Sequence, residues 1–375
     1  MDIFAAGADW IIWFLSYVLP FLAVLTLIVF VHEYGHFQVA RWCKVNVETF
    51  SVGFGHSIGG WYDRKGTHWK IGWIPLGGYV KFQGDANAAS LPADISAPAR
   101  AGDFHTASVV RRAAIVVAGP AANFLLAIGI FAAAFMIVGI PISPPVVEEV
   151  RPGSAAEAAG IQPGDRIMRI DGDDITSFTQ IQRMVSERAG DELALMLERD
   201  GRQIELVVTP QMTEVPDSLG GTVRMGLLGI SKNVSQDLVY DRKNLIEAVG
   251  LGVYETYFVV ERTLSYLKGM IMGEVSPNQL AGPLGIAQIS GQAAAVSIGA
   301  LFQLAAVLSV SIGLINLFPI PMLDGGHLVF YAVEAVRGKP LAQKVQELGF
   351  KVGLGVVLML MLMATWNDIT RLNLF

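Results

Sequence analysis

The chain has 375 residues, 53% hydrophobic and only 16% charged, with a mean hydropathy of +0.48 and a formal charge of −6. Soluble chains carry about a quarter charged residues; the deficit here gathers in four nearly charge-free stretches, which excludes a wholly soluble protein. No basic stripe with aromatics is present, excluding a nucleic-acid partner, and the single cysteine, Cys43, excludes an internal disulfide or a cysteine-based zinc knuckle.

The first apolar run, Ile11–His36, is long enough to cross a bilayer, with Pro20 as a tolerated kink. Its N-terminal flank lacks Lys and Arg and no small-residue cleavage site follows it, so it is expected to stay as a span and not to be removed as a signal peptide. It ends in HEYGH. On a helix His32 and His36 share a face and can present both imidazoles to one ion. Glu33 beside them reaches a water next to the metal, the division of labour of a zinc hydrolase. Burying these groups at membrane depth is costly unless they pair or bind metal.

Residues 41–112 follow as a segment rich in Lys and Arg, with strand-like alternation and glycine breaks in "VETFSVGFGH" and "THWKIGWIPLGGYVKF". This pattern predicts a β-hairpin. A second span over 113–141 contains "AGPAAN" and leaves through "PISPP". Residues 142–212 read as a compact α+β insert. It has a strand in "PVVEEV", two strands about a turn in "GDRIMRIDGDDI", a helix in "SFTQIQRMVSERAG", and a hairpin turning at Asp200-Gly201. This order resembles a PDZ domain; a small sandwich serving as a spacer is the alternative. Within 213–297, Asn244–Met272 has the pattern of an amphipathic helix, lying on the outer membrane surface or packing on the insert. The stretch Val275–Leu323 has no formal charge and is too long for one helix. It predicts a re-entrant or surface piece before a third span, Ile298–Phe318, and a fourth follows at Leu348–Trp366 within 298–375. Lys and Arg between spans one and two, and between three and four, place those segments in the cytoplasm. Both termini and the insert then face outward.

Zinc in a hydrolase takes three protein ligands and leaves a position for water. "NLFPIPMLDGGH" supplies the next intramembrane acid, Asp324, after Pro319 and Pro321 have interrupted the helix. Asp324 is therefore the expected third ligand, with His327 as competitor. Asn123 and Asn316 are polar residues in apolar spans, readable from the residues alone as a helix-packing amide and a cap respectively.

HExxH in the first span together with N-x-x-P-x-P-x-L-D-G-G near the C-terminus resembles the site-2 protease family of intramembrane zinc metalloproteases. "AGPAAN", "FSVGFG", "IPLGGYVKF" and "LAGPLGIAQ", with the PDZ-like insert, resemble its bacterial RseP-type branch, although only one PDZ domain is readable where many members carry two. The resemblance implies an α-helical polytopic membrane protein of about four transmembrane helices, with an inserted α+β PDZ domain and a membrane-associated β-hairpin. It implies Zn2+ on His32, His36 and Asp324, Glu33 as the catalytic base, and substrate binding by Asn123, Asn316, Gly53, Phe54 and Gly55. The implied substrate is a single-pass membrane protein of the anti-sigma-factor kind, cut after an upstream site-1-type protease has trimmed it on the outer side. The setting is the lipid bilayer of the bacterial inner membrane. Degradation of remnant signal peptides is the alternative within the same chemistry. A non-catalytic scaffold or metal carrier is the alternative outside it, disfavoured because no element of the metal motif is missing.

Overall fold

A long apolar run can satisfy its backbone in lipid only as a helix. The computed structural model, which describes residues 13–85, 100–186, 188–216, 222–231, 239–273 and 281–371, has four helices long and apolar enough to cross a membrane among those residues: Phe14–Trp42, Val109–Ile137, Ile298–Asn316 and Lys344–Thr370. The chain divides into two compact units, one formed by residues 1–134 and 245–375, the other by Phe135–Asn244.

In the first unit, a π-helical turn, Phe14–Val18, runs into helix α1, Leu19–Trp42. Pro20 lies at that junction, where a missing N–H is most easily accommodated. Helix α1 continues past His36 to Trp42, so HEYGH lies inside the span and not at its end. Strands β1, Val47–Tyr62, and β2, His68–Phe82, form the expected hairpin, but it is folded on itself. Thr49–Val52 pair on one side with Gly78–Lys81 and on the other with His68–Ile71, while Ser57–Tyr62 pair with His68–Gly72. The bend requires glycine where the backbones cross: a Cβ on Gly72 would lie 2.5 Å from the Phe54 carbonyl oxygen, and Gly53 has φ +86°. Asp63 fixes the loop between the strands to the end of α1. Burial works against its charge, but hydrogen bonds from Trp69, Arg41 and the Lys65 and Thr67 backbone outweigh that and hold its carboxyl at about 2.

Helix α2, Val109–Ile137, begins before the expected Ala113, with Arg112 inside its first turn. Arg112 Nη2 lies 2.6 Å from Glu334 and its Nε bonds the Ala107 carbonyl at 3.0 Å, so the charge is paired where the helix enters the apolar layer.

The second unit contains strands β3, Ile140–Ile142, and β4, Glu149–Val150, the short helix α3, Ala155–Ala158, then β5, Arg166–Ile170, and β6, Asp173–Asp174. Helix α4, Phe178–Ser186, and the hairpin β7, Leu193–Arg199, with β8, Arg202–Val208, follow. One sheet has the order β6-β5-β7-β8. Phe178, Ile181 and Val185 of α4 pack with Ile167, Ile170, Leu193, Leu195 and Leu197 in a single core. The Asp200-Gly201 turn is as expected, both residues having positive φ. The boundary differs from 142–212. Hairpin β9, Gln211–Pro216, and β10, Thr222–Leu227, then β11, Ile230–Ser231, and β12, Val239–Asp241, belong to the same unit. The reason is pairing at a distance, β11 with β4 and β12 with β3.

The chain returns to the first unit in α5, Leu245–Ile271. Its Gly252 and Thr256 are buried, Gly252 lying against α2 at Ile128 and Ala132, while Ile246, Val253, Tyr254 and Tyr257 stay exposed. The charge-free stretch yields α6, Pro283–Val296, then α7, Ile298–Asn316, α8, Asp324–Arg337, and α9, Gln343–Arg371. Gln343–Arg371 is longer than the expected fourth span at both ends.

Candidate metal centre

His32 and His36 lie on the buried face of α1, and Asp324 opens α8 after the proline-interrupted turn. That turn is tight. A Cβ on Gly325 would lie 2.2 Å from the Phe318 carbonyl oxygen and one on Gly326 2.4 Å from that of Ile320, so the LDGG glycines let the start of α8 tuck beneath the turn. Asp324 is thereby brought to α1. Its Oδ2 is 3.1 Å from His32 Nε2, its Oδ1 3.5 Å from His36 Nε2, and the two Nε2 atoms are 3.2 Å apart. Among the described residues, these three are the group that could hold a metal ion.

His36 Nδ1 donates to the Ile115 carbonyl of α2 at 2.8 Å, which leaves the Nε2 lone pair pointing at the other two donors. Asp324 Oδ2 is buried and accepts no hydrogen bond. Lone pairs facing one another in an apolar layer repel unless a cation lies between them, so the donor set fits zinc: two imidazoles and one carboxylate, with room for water in the fourth position.

The site opens into a cavity of about 190 Å³ lined by Glu33, Gly78, Tyr79, Val80, Asn316, Met322 and His327 as well as the three donors. The Val80 backbone lies beside the Glu33 carboxylate. A Cβ on Gly78 would come within 3.2 Å of Glu33 Cγ and 2.9 Å of Val29 Cγ1, so the edge of β2 passes directly over the carboxylate.

Of the other expected residues, Asn316 lines the cavity, and His327 lines it without joining the donor set. Asn123 is fully buried, is not among the residues lining the cavity, and has its amide 3.3 Å from His32 Nδ1. Gly53, Phe54 and Gly55 do not line it either; Phe54 stacks on Tyr79 at 6.1 Å, and Tyr79 is the ring that reaches the cavity. Tyr79 and Tyr331, which also lines the cavity, are not legible in the sequence as site residues. The "LGGY" stretch marked the strand, but which edge would meet α1 depends on the fold in the sheet.

Two buried histidines inside a candidate membrane span, with a half-buried aspartate and an adjacent glutamate, are the site of a membrane metalloprotease. The profile of Peptidase family M50 matches residues 20–360. The sequence is 48% identical to "Putative zinc metalloprotease Atu1380" of Agrobacterium fabrum, over 95% of this chain and 96% of that protein. It is 40% identical to "Metalloprotease MmpA" of Caulobacter vibrioides, over 96% and 97%. The chain belongs to Peptidase family M50, the site-2 protease family, and is a multi-pass membrane zinc metalloprotease.

Proposed function

We propose that this chain is an intramembrane endopeptidase that cuts within a transmembrane segment of a single-pass membrane protein of the anti-sigma-factor kind. The cut follows trimming of that protein by a site-1-type protease, as a step of regulated intramembrane proteolysis in a stress response. The observation that carries the reading is the placement of Glu33 and the metal donors in one cavity inside a span, beneath the edge of β2.

His32, His36 and Asp324 would hold zinc, which when bound supplies polarisation of the scissile carbonyl and acidification of the attacking water. Glu33 takes the proton of that water and returns it to the leaving amine. A helical peptide bond is shielded by its own hydrogen bonds, so the substrate must be extended first. The Gly78–Val80 edge offers backbone groups to an unwound segment beside Glu33, and the Asn316 amide holds the substrate backbone or the developing oxyanion. Phe54, with Gly53 and Gly55, supports Tyr79 in that task.

The second unit is read as a single PDZ domain. A groove of about 880 Å³ runs between α4 and the Met225–Ser231 strand region, the place where such a domain accepts an extended peptide. The Lys and Arg distribution supports an orientation with this unit and both termini outside the inner membrane and the metal site toward the cytoplasmic side.

The test is cleavage of a pre-trimmed single-pass reporter in detergent, with bound zinc quantified. Glu33→Gln should retain zinc and yield no product, because the ligands remain and the base is gone. Asp324→Ala should lower both. Product from Glu33→Gln would remove HEYGH as the catalytic centre, and metal with activity in Asp324→Ala would remove Asp324 as a ligand.

A further inference from the structure

Helix α2 runs against the histidine face of α1 with Ile115, Gly119 and Asn123, residues four apart and therefore stacked along one side of that helix. Each meets an imidazole. Ile115 accepts from His36 Nδ1 through its carbonyl, a Cβ on Gly119 would lie 2.3 Å from His36 Nε2, and the Asn123 amide lies 3.3 Å from His32 Nδ1. His36 therefore has its outer nitrogen fixed by backbone, while His32 has a side chain in the equivalent place.

We infer that Asn123 is a positioning residue for the metal centre: its amide oxygen accepts from His32 Nδ1–H, fixing the ring so that Nε2 faces the ion. The hydrogen-bond network decides which end of the amide meets the ring. If the NH2 group donated to Nδ1, the ring proton would sit on Nε2, pointing at His36 Nε2 and Asp324 and closing the metal position. Asn123 Oδ1 would then be a buried acceptor with no partner, a costly arrangement. Turning the amide by half a revolution lets Oδ1 accept from the ring and frees Nε2 for the ion, the NH2 group then taking the place where Oδ1 had no partner. Asn123 is itself held from outside, since Ser309 Oγ of α7 donates to its backbone carbonyl at 2.9 Å and a Cβ on Gly313 of α7 would lie 3.2 Å from Asn123 Cβ. The third span thus buttresses the residue that orients a ligand of the first. Full burial keeps Asn123 away from the cavity, so orientation of His32, and not contact with substrate, is the task its position permits.

This inference rests on the metal-centre reading proposed above, and the experiment separates the two. The full-length protein in detergent is stripped of metal and its zinc affinity is measured by competition with a chelator, with helix content and thermal unfolding recorded alongside. Removing a ligand's outer hydrogen bond lowers metal affinity about ten- to a hundredfold. Asn123→Ala should show that loss with the helices intact. Asn123→Asp, which keeps the acceptor and cannot donate when ionised, should bind zinc at least as tightly as wild type. At saturating zinc, the KM of Asn123→Ala for the reporter should match wild type. Unchanged zinc affinity in Asn123→Ala with a raised KM would overturn the inference in favour of substrate binding, and equal loss in the Ala and Asp variants would reduce the residue to packing. His32→Ala is the reference. Wild-type affinity in that variant would remove the metal-centre reading and this inference together, whereas a loss there with none in Asn123→Ala overturns the inference alone.

Discussion

A methyl group at position 119 would stand 2.3 Å from His36 Nε2 and 2.5 Å from its Cε1, closer than carbon approaches any atom it is not bonded to. Glycine in the middle of a helix costs about 1 kcal/mol relative to alanine, so α2 tolerates a local weakness to leave room for an imidazole of α1. Gly119→Ala should therefore separate two properties that usually move together. The helix itself gains propensity, while the displaced imidazole loses its aim at the ion. The expected result is a thermal midpoint near or below wild type in the metal-free protein, the overpacking offsetting the gain in propensity, and a clear fall in zinc content and reporter cleavage. A variant that keeps its zinc would show that the imidazole holds its aim and that the glycine serves packing alone. The histidines, Glu33 and Asp324 were legible in the sequence because their spacing is local: i and i+4 on a helix, and an acid directly after a proline-broken turn. The task of Asn123 was not, because it depends on a contact between residues 91 positions apart, and an isolated amide in an apolar span looks the same whether it faces substrate or a ligand.

Among the elements, α6 shows how a motif with no chemistry of its own can matter. Its first turn carries N–H groups without helical partners. Asp368, near the end of α9 and almost fully buried, satisfies two of them, accepting from Gly282 N and Gly285 N at 2.9 Å each. A negative group at a helix N-terminus is favoured by the dipole as well as by the bonds. The two glycines are what admit it, since a Cβ on either would lie 2.6 Å from an Asp368 oxygen. At its other end α6 meets the start of the first span, where a Cβ on Gly291 would lie 2.6 Å from the Ser16 carbonyl oxygen. The "AGPLG" motif is therefore the fastening of the last span to the first through α6. Gly285→Ala should push the carboxylate off its donors and destabilise by about 1–3 kcal/mol, seen as a lowered unfolding midpoint in detergent, with the reporter KM unaltered at temperatures where the protein is folded. An unchanged midpoint would mean that Asp368 has room to retreat. Period and composition announced the existence of α6 as a charge-free piece before the third span. They did not announce its capping partner, 86 residues away, or the folding of the β1–β2 hairpin on itself, because glycines mark where a strand can bend and not which neighbour it will meet afterwards.

On the scale of the whole chain, the second unit is inserted between two halves of the first, residues 1–134 and 245–375. Its entry and exit strands, β3 and β12, pair with Ile140 opposite Asp241 and Ile142 opposite Val239, so the two chain ends that leave the unit lie one strand spacing apart, about 5 Å. Ends that close can be rejoined by a short flexible linker at small entropic cost. The unit's own core, from Val147 to Leu228, contains no residue of the metal-bearing part, and every zinc donor and cavity residue lies outside residues 135–244. Replacing residues 142–239 with a few glycines and serines should therefore leave zinc content and the turnover of an already trimmed reporter close to wild type. The informative comparison uses the same reporter with its outer domain still attached. If the unit excludes bulky substrates, its removal should allow the untrimmed protein to be cut, and the requirement for a prior cut disappears. If instead it captures the trimmed end in the groove beside α4, removal should raise the KM for the trimmed reporter and leave the untrimmed one uncut. Loss of zinc on excision would show that the metal-bearing part is not self-sufficient, against the division of the chain into two units.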